Sequence, residues 1–339
     1  MTTADVKSGV RQILANIARG VATIALTLSI CSIFVSLAGQ SPLVAGEALV
    51  RGAMGSPSRW AESLSKTIPL VMTGLGVAVS FRAGFWNIGG EGQFVMGALV
   101  ATWLATKVLC PWPIVVLGGA IGGGAWSVLA GWLKVRRGAP EIISTIMLNY
   151  VALQLLTFAV QGPLQESAHA QPQSDVFPLR AQIPTLWPDS DLHDGIFIAI
   201  FAAGACWWLL FRTERGFLWR ASGANALAAR GMGIAPDTMA LQAVALGGAL
   251  CGMGGALEIA GATKQLGATA FGYGYTAIAV ALLAGLHPLK ILGTALLFGL
   301  LNAGGGGMER MANVPAVTVS IVIGVVLLAI GARPQRHRD

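Results

Sequence analysis

The sequence predicts an all-α protein, a polytopic bundle of transmembrane helices. Hydrophobic residues make up 55% of the 339 residues and charged residues only 11%, and the mean hydropathy is +0.69. Charged residues account for about 25% of an average soluble protein, so the chain lies far from that class. Its 45 glycines fit the same prediction, because helices in lipid pack closely through small residues. We expect a single transmembrane domain over residues 1–339.

Ten apolar segments are candidate membrane spans, counting runs of about 17 to 25 residues and shorter runs that Gly or Pro interrupts. The first has no convincing signal-peptidase site and is expected to remain as a helix. The two segments on either side of His287 and Pro288 could also be read as one kinked span. The ten segments are 17–39, 67–81, 88–109, 113–133, 141–161, 194–211, 239–261, 275–287, 289–304 and 315–332.

The distribution of basic residues predicts the orientation of the chain. With the N-terminus inside, ten spans place fifteen of the 22 Lys and Arg residues in inner segments, including the C-terminal basic cluster. This bias follows the positive-inside rule, which nine spans would break. Both termini are therefore predicted to be cytoplasmic. Orientation also explains the net charge of +7, so nucleic acid is not expected as a partner.

Residues 212–238 form a charged island between two apolar segments, with four arginines against Glu214 and Asp237. Asn225 can cap a helix from Ala226 to Arg230, and a glycine after it can end that helix. We expect a cytoplasmic helix of one to two turns lying parallel to the membrane surface. A simple connector needs fewer residues, so this length indicates a docking surface for another protein. The arginines are Arg212, Arg215, Arg220 and Arg230, and the candidate terminators are Gly231 and Gly233.

The predicted outer loop, residues 162–193, is rich in proline, which resists regular structure. It carries four acidic residues against Arg180 alone. The loop could be a lid that receives a delivery protein, and a solvated connector fits equally well. Its prolines are Pro163, Pro172, Pro178, Pro184 and Pro188.

The segment from Arg82 to Gln93, RAGFWNIGGEGQ, separates two apolar runs with polar residues and glycines. Irregular backbone at membrane depth is tolerated only against protein or a water-filled cavity, and an ionisable group there needs a partner. Glu91 is therefore a candidate for the substrate path, together with Asn87 and Gln93, and Arg82 is its candidate partner. A structural carboxylate that caps the helix N-terminus at Gln93 fits about as well.

Glu141, Thr145 and Asn149 form one polar stripe, because residues spaced by four share a face of a helix. We expect the stripe to face the bundle interior, where it either lines the passage or holds two helices together. We favour the passage. Glu258 lies near the predicted outer end of its span, where an ionised group is less costly, and is expected to anchor a helix.

Other patterns indicate packing rather than chemistry. The small-residue spacings Gly118/Gly122 and Gly248/Gly252 are common in membrane bundles. The four cysteines and four histidines show no metal-ligand spacing, so no metal site is expected. The chain has no Gly-Lys dipeptide, hence no P-loop, and neither HExxH nor GxSxG. We therefore expect a chain that is not an enzyme.

Four stretches carry a resemblance to a known family: GFWNIGGEGQFVMGA (84–98), GAPEIISTIMLNY (138–150), TERGFLWRASGANALAARGMGI (213–234) and GYGYTAIAVALLAGLHPLKI (272–291). The chain resembles the permease subunits of ATP-binding-cassette (ABC) importers in the branched-chain amino acid and simple sugar group. Within that group it is similar to the nucleoside permeases served by basic-membrane-protein-type binding lipoproteins. The first two stretches are the most specific for that branch.

The resemblance implies an import machine of several chains in the cell inner (plasma) membrane. Two permease subunits, often non-identical, would pair in the lipid bilayer, and a solute-binding protein would deliver cargo from outside. ABC ATPase subunits beneath them would bind ATP and Mg, with no cofactor in this chain. The island would hold the coupling helix that docks on the ATPase, with Arg220, Gly223, Asn225, Ala228, Ala229, Arg230 and Gly233.

The expected function is ATP-driven import of a small polar solute, a nucleoside or a simple sugar. Cargo needs only transient contacts in the bundle, since tight binding would trap it. An ion-coupled secondary transporter with Glu91 or Glu141 as the coupling carboxylate is the rival, and a membrane enzyme or structural subunit is a third class. The candidate substrate-path residues are Asn87, Glu91, Gln93, Glu141, Thr145 and Asn149.

Overall fold

The computed structural model describes residues 25, 28–186, 190–315, 317–321 and 324–325. In this part of the chain 77% of the residues are helical and there are no strands. Two isolated β-bridges, Gln173 with Gly267 and Thr185 with His193, are the extended pairings within those ranges. The predicted all-α class is confirmed.

Twelve helices of the described residues are numbered here in chain order. They are α1 (Leu28–Leu37), α2 (Pro42–Met54), α3 (Pro57–Arg82), α4 (Gly90–Trp103), α5 (Trp112–Arg137), α6 (Glu141–Gln161), α7 (Gly195–Arg212), α8 (Glu214–Ala224), α9 (Ala226–Gly231), α10 (Pro236–Leu257), α11 (Tyr273–Leu283) and α12 (Pro288–Ala312). α4 continues into a π-helical turn at Leu104–Val108, and α10 into one at Glu258–Thr263.

Six helices in the described ranges are long and apolar enough to cross a membrane, or seven if the bent pair α1 and α2 counts as one span. The predicted ten spans are therefore not confirmed. The segments 88–109 and 275–287 contain helices of only 14 and 11 residues, α4 and α11. Most of the first and last predicted spans, 17–39 and 315–332, lies outside the described residues.

The chain folds as two compact units, Met1–Arg59 with Leu301–Asp339, and Trp60–Leu300. In the first unit, α1 and α2 meet at an angle of 107°, and Gly39 takes a positive φ of 76° in the turn between them. α2 was not predicted, because it lies between two longer apolar runs. Gly52 packs against Gly307 so closely that a Cβ on either would collide with the other's backbone.

In the second unit, α4, α5 and α10 pack through glycines. A Cβ on Gly252 would collide with the carbonyl oxygen of Gly119 and with the backbone of Gly123, and one on Gly97 would collide with Gly252. Helix axes can approach this closely only where side chains are absent. The packing role predicted for the small-residue spacings is confirmed.

Residues 275–304, which could be read as one kinked span or two, form two separate helices. α11 ends at Leu283 and α12 begins at Pro288. Gly285 and Leu286 in the turn both have positive φ, 61° and 55°, which reverses the chain. His287 lies in this turn.

Candidate coupling surface and buried polar network

Residues 83–89 run without a helix between α3 and α4. The chain leaves α3 through Gly84, whose φ is +78°, and the N–H of Phe85 donates to the carbonyl of Ser80 at 3.1 Å. Inside the protein, Asn87 and Gln93 exchange two hydrogen bonds, of 3.0 and 2.8 Å. Both side chains are buried, and the two amides are each other's hydrogen-bond partners inside the protein.

The polar stripe on α6 fastens this segment. Asn149 donates to the carbonyl of Ile88 at 2.9 Å and accepts from the N–H of Gly92 at 2.8 Å. Thr145 accepts from the N–H of Ile88 at 3.3 Å. Thr145 and Asn149 are buried, so the stripe faces the interior as predicted. Its hydrogen bonds hold α6 to the start of α4, and its place along a cargo passage stays a prediction.

Glu91 binds the N-terminus of another helix. Its two carboxylate oxygens accept from the N–H groups of Gly272 and Gly274, at 2.8 and 2.7 Å, where α11 begins. Exposed amide donors and the helix dipole both favour a carboxylate at such an end. The expectation that Arg82 pairs with Glu91 is wrong, because Arg82 donates instead to the carbonyl of Leu286 at 2.7 Å. The predicted cap at Gln93 is also replaced, since the N–H of Gln93 bonds to Gly89.

Glu141 lies apart from the buried pair at the other end of the stripe. Its carboxylate forms an ion pair with Lys134 at 2.9 Å, with about a quarter of each side chain exposed. Lys134 also lies over the ring of Phe85, 5.0 Å from its centroid. Glu141 therefore joins the turn between α5 and α6 to the segment that precedes α4.

Glu258 is buried, contrary to the expectation of a solvated position near a helix end. It begins the π-helical turn after α10 and is only 7% exposed. The hydroxyl of Tyr273 donates to Oε1 at 3.4 Å. Among the described residues, Oε2 has no hydrogen-bond partner. The position of Glu258 in the sequence did not indicate its burial, because the outer loop and α11, which are distant in the chain, cover the end of α10.

The charged island contains two helices rather than one. α9 spans Ala226–Gly231, and the side chain of Asn225 accepts from the N–H groups of Leu227 and Ala228, both at 3.0 Å. Gly233 follows with a φ of +80°. The predicted short helix and its cap are thus confirmed. α8 was missed, although Thr213 caps it and Glu214 lies in its first turn, two signals that the sequence contains.

The surface of α8 and α9, here called the coupling surface (residues 214–233), mixes apolar and basic groups. Phe217, Leu227 and Met232 are 55%, 81% and 66% exposed. Arg230 forms an exposed ion pair with Asp237 at 3.1 Å, and Ala229 is buried. Exposed apolar side chains rimmed by charge are typical of a surface that binds another protein.

α8 is held against the ends of α3 and α7. A Cβ on Gly223 would collide with the carbonyl oxygen of Arg82, and one on Gly216 with that of Leu209. The guanidinium of Arg220 donates to the carbonyl of Leu210 at 2.9 Å. α8 is therefore packed and hydrogen-bonded against the ends of α3 and α7.

Phe211 lies at the centre of a cluster that joins α8 to the turn before α12. The guanidinium groups of Arg82 and Arg220 each lie 5.1 Å from its ring centroid, and His287 stacks on it at 5.3 Å. The hydrogen bond from Arg82 to Leu286 closes the link. Sequence reasoning missed this cluster, since its members are up to 205 positions apart and share no motif.

The predicted outer loop (residues 162–193) is hydrogen-bonded along the end of α10 and the π-helical turn after it. Ile183 donates its N–H to the carbonyl of Ala260 and Phe177 to that of Lys264, both at 2.9 Å. Burial lowers the pKa of His193 in this loop to about 4, with a smaller contribution from Lys264. In the described part of the loop the helical structure is a short 3-10 turn, Leu179–Ala181. Its predicted resistance to regular structure is confirmed there, while Pro188 lies outside the described residues.

Comparison with known proteins identifies the family. The sequence model of the family described as branched-chain amino acid transport system / permease component matches residues 60–331. The chain belongs to this permease family. It is thus a multi-pass membrane protein and the membrane-spanning permease subunit of an ABC importer, and the resemblance seen in the sequence is confirmed.

Three relatives illustrate the similarity of the permease. The glucose ABC transporter permease protein TsgB13 of Haloferax volcanii is 35% identical, over 79% of this chain and 74% of the relative. The guanosine ABC transporter permease protein NupP of Bacillus subtilis is 31% identical, over 91% of each chain. The nucleoside ABC transporter permease protein NupB of Lactococcus lactis is 30% identical, over 87% and 85%. No solved structure matches the permease significantly.

The bacterial relatives occur in pairs. Bacillus subtilis has a second guanosine permease that is 29% identical to this chain, and Lactococcus lactis a second nucleoside permease that is also 29% identical. Paired permease subunits are thus a property of these relatives.

Proposed function

We propose that this permease carries a nucleoside or a simple sugar across the cell inner membrane, using ATP that partner chains bind with Mg and hydrolyse. The printed cargo of the relatives, guanosine, nucleoside and glucose, supports that substrate class. The absence of a P-loop from the sequence supports an external motor. The observation that carries the proposal is the coupling surface, an ordered pair of short helices with exposed apolar groups.

The coupling surface docks on an ABC ATPase in this proposal. Its exposed apolar groups supply the contact area, and Asn225 keeps α9 folded. Movement of α8 is passed to the turn between α11 and α12 through Phe211. Arg220 of α8 and Arg82 both contact the ring of Phe211, and Arg82 donates a hydrogen bond to Leu286 in that turn. The docking residues are those expected from the sequence: Arg220, Gly223, Asn225, Ala228, Ala229, Arg230 and Gly233.

The rest of the assembly follows the family pattern. A second, non-identical permease pairs with this one, and a solute-binding protein delivers cargo at the outer loop. Both termini and the coupling surface are cytoplasmic, with ten spans in all. Residues 1–339 act as one transmembrane domain, within which 212–238 is the coupling loop.

The buried polar network borders the cargo passage. Asn87, Gln93, Thr145 and Asn149 bond to one another or to backbone, so they lock α4 and α6 together in this state. Glu91 in the same way locks α4 to α11, and Glu141 braces the turn between α5 and α6. Contact with cargo requires these bonds to exchange as the bundle changes between outward-open and inward-open states.

Ion-coupled transport is the alternative, and a single experiment separates the two. The complete importer is reconstituted in liposomes, and uptake of tritiated guanosine and D-glucose is measured with ATP or with an imposed proton or sodium gradient. We expect uptake of one of these solutes with ATP and the ATPase, and none with a gradient alone. Gradient-driven uptake by liposomes that lack the ATPase would establish the rival instead.

A further inference from the structure

The carboxylate of Glu258 is a buried acceptor that the protein itself uses only in part. Only Oε1 is engaged, at 3.4 Å from the hydroxyl of Tyr273. Oε2 has no partner among the described residues, although Glu258 is only 7% exposed. A buried polar atom without a partner costs about 1 to 3 kcal/mol, so its retention needs a reason.

A second orphaned oxygen lies beside α10, one helical turn before Glu258. The hydroxyl of Thr73 on α3 is buried and lacks a partner in the described part of the chain. It lies beside Gly254, where a Cβ would be 3.2 Å from it. Gly254 accepts the N–H of Glu258, so the two residues share a face of α10. Both orphaned oxygens therefore lie along the boundary between α3 and α10.

Aromatic rings lie next to the carboxylate. Phe94 packs on Phe271 and on Tyr273, with centroid distances of 5.2 and 5.6 Å. Tyr273 thereby connects the rings to Glu258. A flat apolar surface beside paired acceptor oxygens matches a solute that has a flat face and N–H or O–H donors.

The backbone at this position is also irregular. Glu258 begins a π-helical turn, a feature frequently found at functional sites. The outer loop is bonded to the same turn through Ala260, and the ring of His193 packs on Gly261. Displacement of the loop would therefore open a route from outside to Glu258.

Asn87, Glu91 and Gln93, three buried polar residues expected to lie on the substrate path, lack this free capacity. Asn87 and Gln93 bond to each other, and both oxygens of Glu91 are occupied by amides of α11. The residues expected from the sequence to contact cargo are thus satisfied, whereas the acid expected only to anchor a helix is not.

We infer that Glu258 and Thr73 form a cargo subsite on the outer side of the permease, which accepts hydrogen bonds from paired N–H or O–H donors on a solute with a flat face. The inference rests on the proposed import function and adds the residues that recognise the solute. A purine base with adjacent ring N–H and amino groups and a sugar with adjacent hydroxyls share this chemistry. Phe271 and Tyr273 supply the surface against the flat face.

The test compares KM with thermal stability. The complete importer is reconstituted with Glu258→Gln, Thr73→Val or, as an exposed control, Glu47→Gln, and ATP-driven uptake of tritiated guanosine, inosine and D-glucose is measured. We expect Glu258→Gln to raise KM about tenfold and Thr73→Val several-fold, with the maximal rate within about twofold, because hydrogen bonds to cargo are lost. If the cargo is guanosine, its advantage over inosine, which lacks the 2-amino group, should also fall. A dominant effect on D-glucose would identify a sugar instead.

Thr73→Val removes a hydroxyl that has no partner in the described part of the chain, and Glu258→Gln replaces a buried carboxylate by a neutral amide that can still accept from Tyr273. The melting temperature of both variants should therefore be unchanged or higher. An unchanged KM in both, or a lowered melting temperature with unchanged KM, overturns the subsite. If Glu258→Gln fails to assemble, Thr73→Val decides alone. An active wild-type importer with unaffected variants refutes only the subsite, whereas a wild type that takes up none of the probes with ATP refutes the proposed function as well.

Discussion

Glu91 and Glu258 are both buried acids, yet their surroundings differ. Glu91 lies against two amide donors at the start of α11, and Gly274 approaches it so closely that no Cβ would fit. Among the described residues, the carboxylate of Glu258 has one hydrogen bond, from the hydroxyl of Tyr273, and its Oε2 has none. The sequence revealed that Glu91 was special, because glycines surround it. It could not reveal the partner, which lies more than 180 positions away.

Replacement of Glu91 by Gln should destabilise the permease. The carboxamide keeps one acceptor but turns its NH2 group toward an N–H donor, so one charge-assisted bond is lost, and we expect a loss of about 1.5 to 3 kcal/mol. Thermal unfolding of the purified protein in detergent measures it. Glu47→Gln breaks an exposed ion pair with Arg51, which is worth about half a kcal/mol or less. Equal melting temperatures for the two variants would contradict the structural role of Glu91.

At the scale of elements, local signals predicted α9 but were overlooked for α8, and tertiary contacts were not predicted. The cap at Asn225 and the end of α9 were predictable because each depends on a few adjacent residues. α4 begins at Gly90 rather than at residue 88, and α11 begins at Tyr273 rather than at residue 275. The start of α11 is fixed by hydrogen bonds from the amides of Gly272 and Gly274 to Glu91. Hydrophobicity does not encode such contacts, so the span boundaries and the count could not be derived from it.

Close helix packing gives a prediction of its own. Gly252→Ala places a methyl group against the backbone of Gly119 and Gly123, and overpacking of this kind costs about 1 to 3 kcal/mol. A lower melting temperature and a lower yield of folded protein are expected. Gly204→Ala is the matched control, since nothing lies within 4 Å of its Cβ, and the higher helix propensity of Ala should raise stability slightly. Effects of the same sign and size for both variants would contradict the packing described for α4, α5 and α10.

At the scale of the whole molecule, the permease combines a closely packed helical interior with exposed apolar side chains on α8 and α9. Its membrane class was predictable from composition alone, and the short helix α9 within the island from the cap at Asn225. The cluster around Phe211 was not, because it assembles residues from α3, α7, α8 and the turn before α12. That cluster gives the coupling surface a physical route to the bundle.

ATP-driven uptake by the double variant Asn225→Ala, Arg230→Ala tests the central claim most directly. The variant loses the cap of α9 and the ion pair with Asp237, so α9, the helix that we propose receives the motor's movement, should no longer hold its shape. In liposomes that contain the complete importer, we predict that uptake is abolished while the affinity of the solute-binding protein for cargo is unchanged. Normal uptake by this variant would contradict the account.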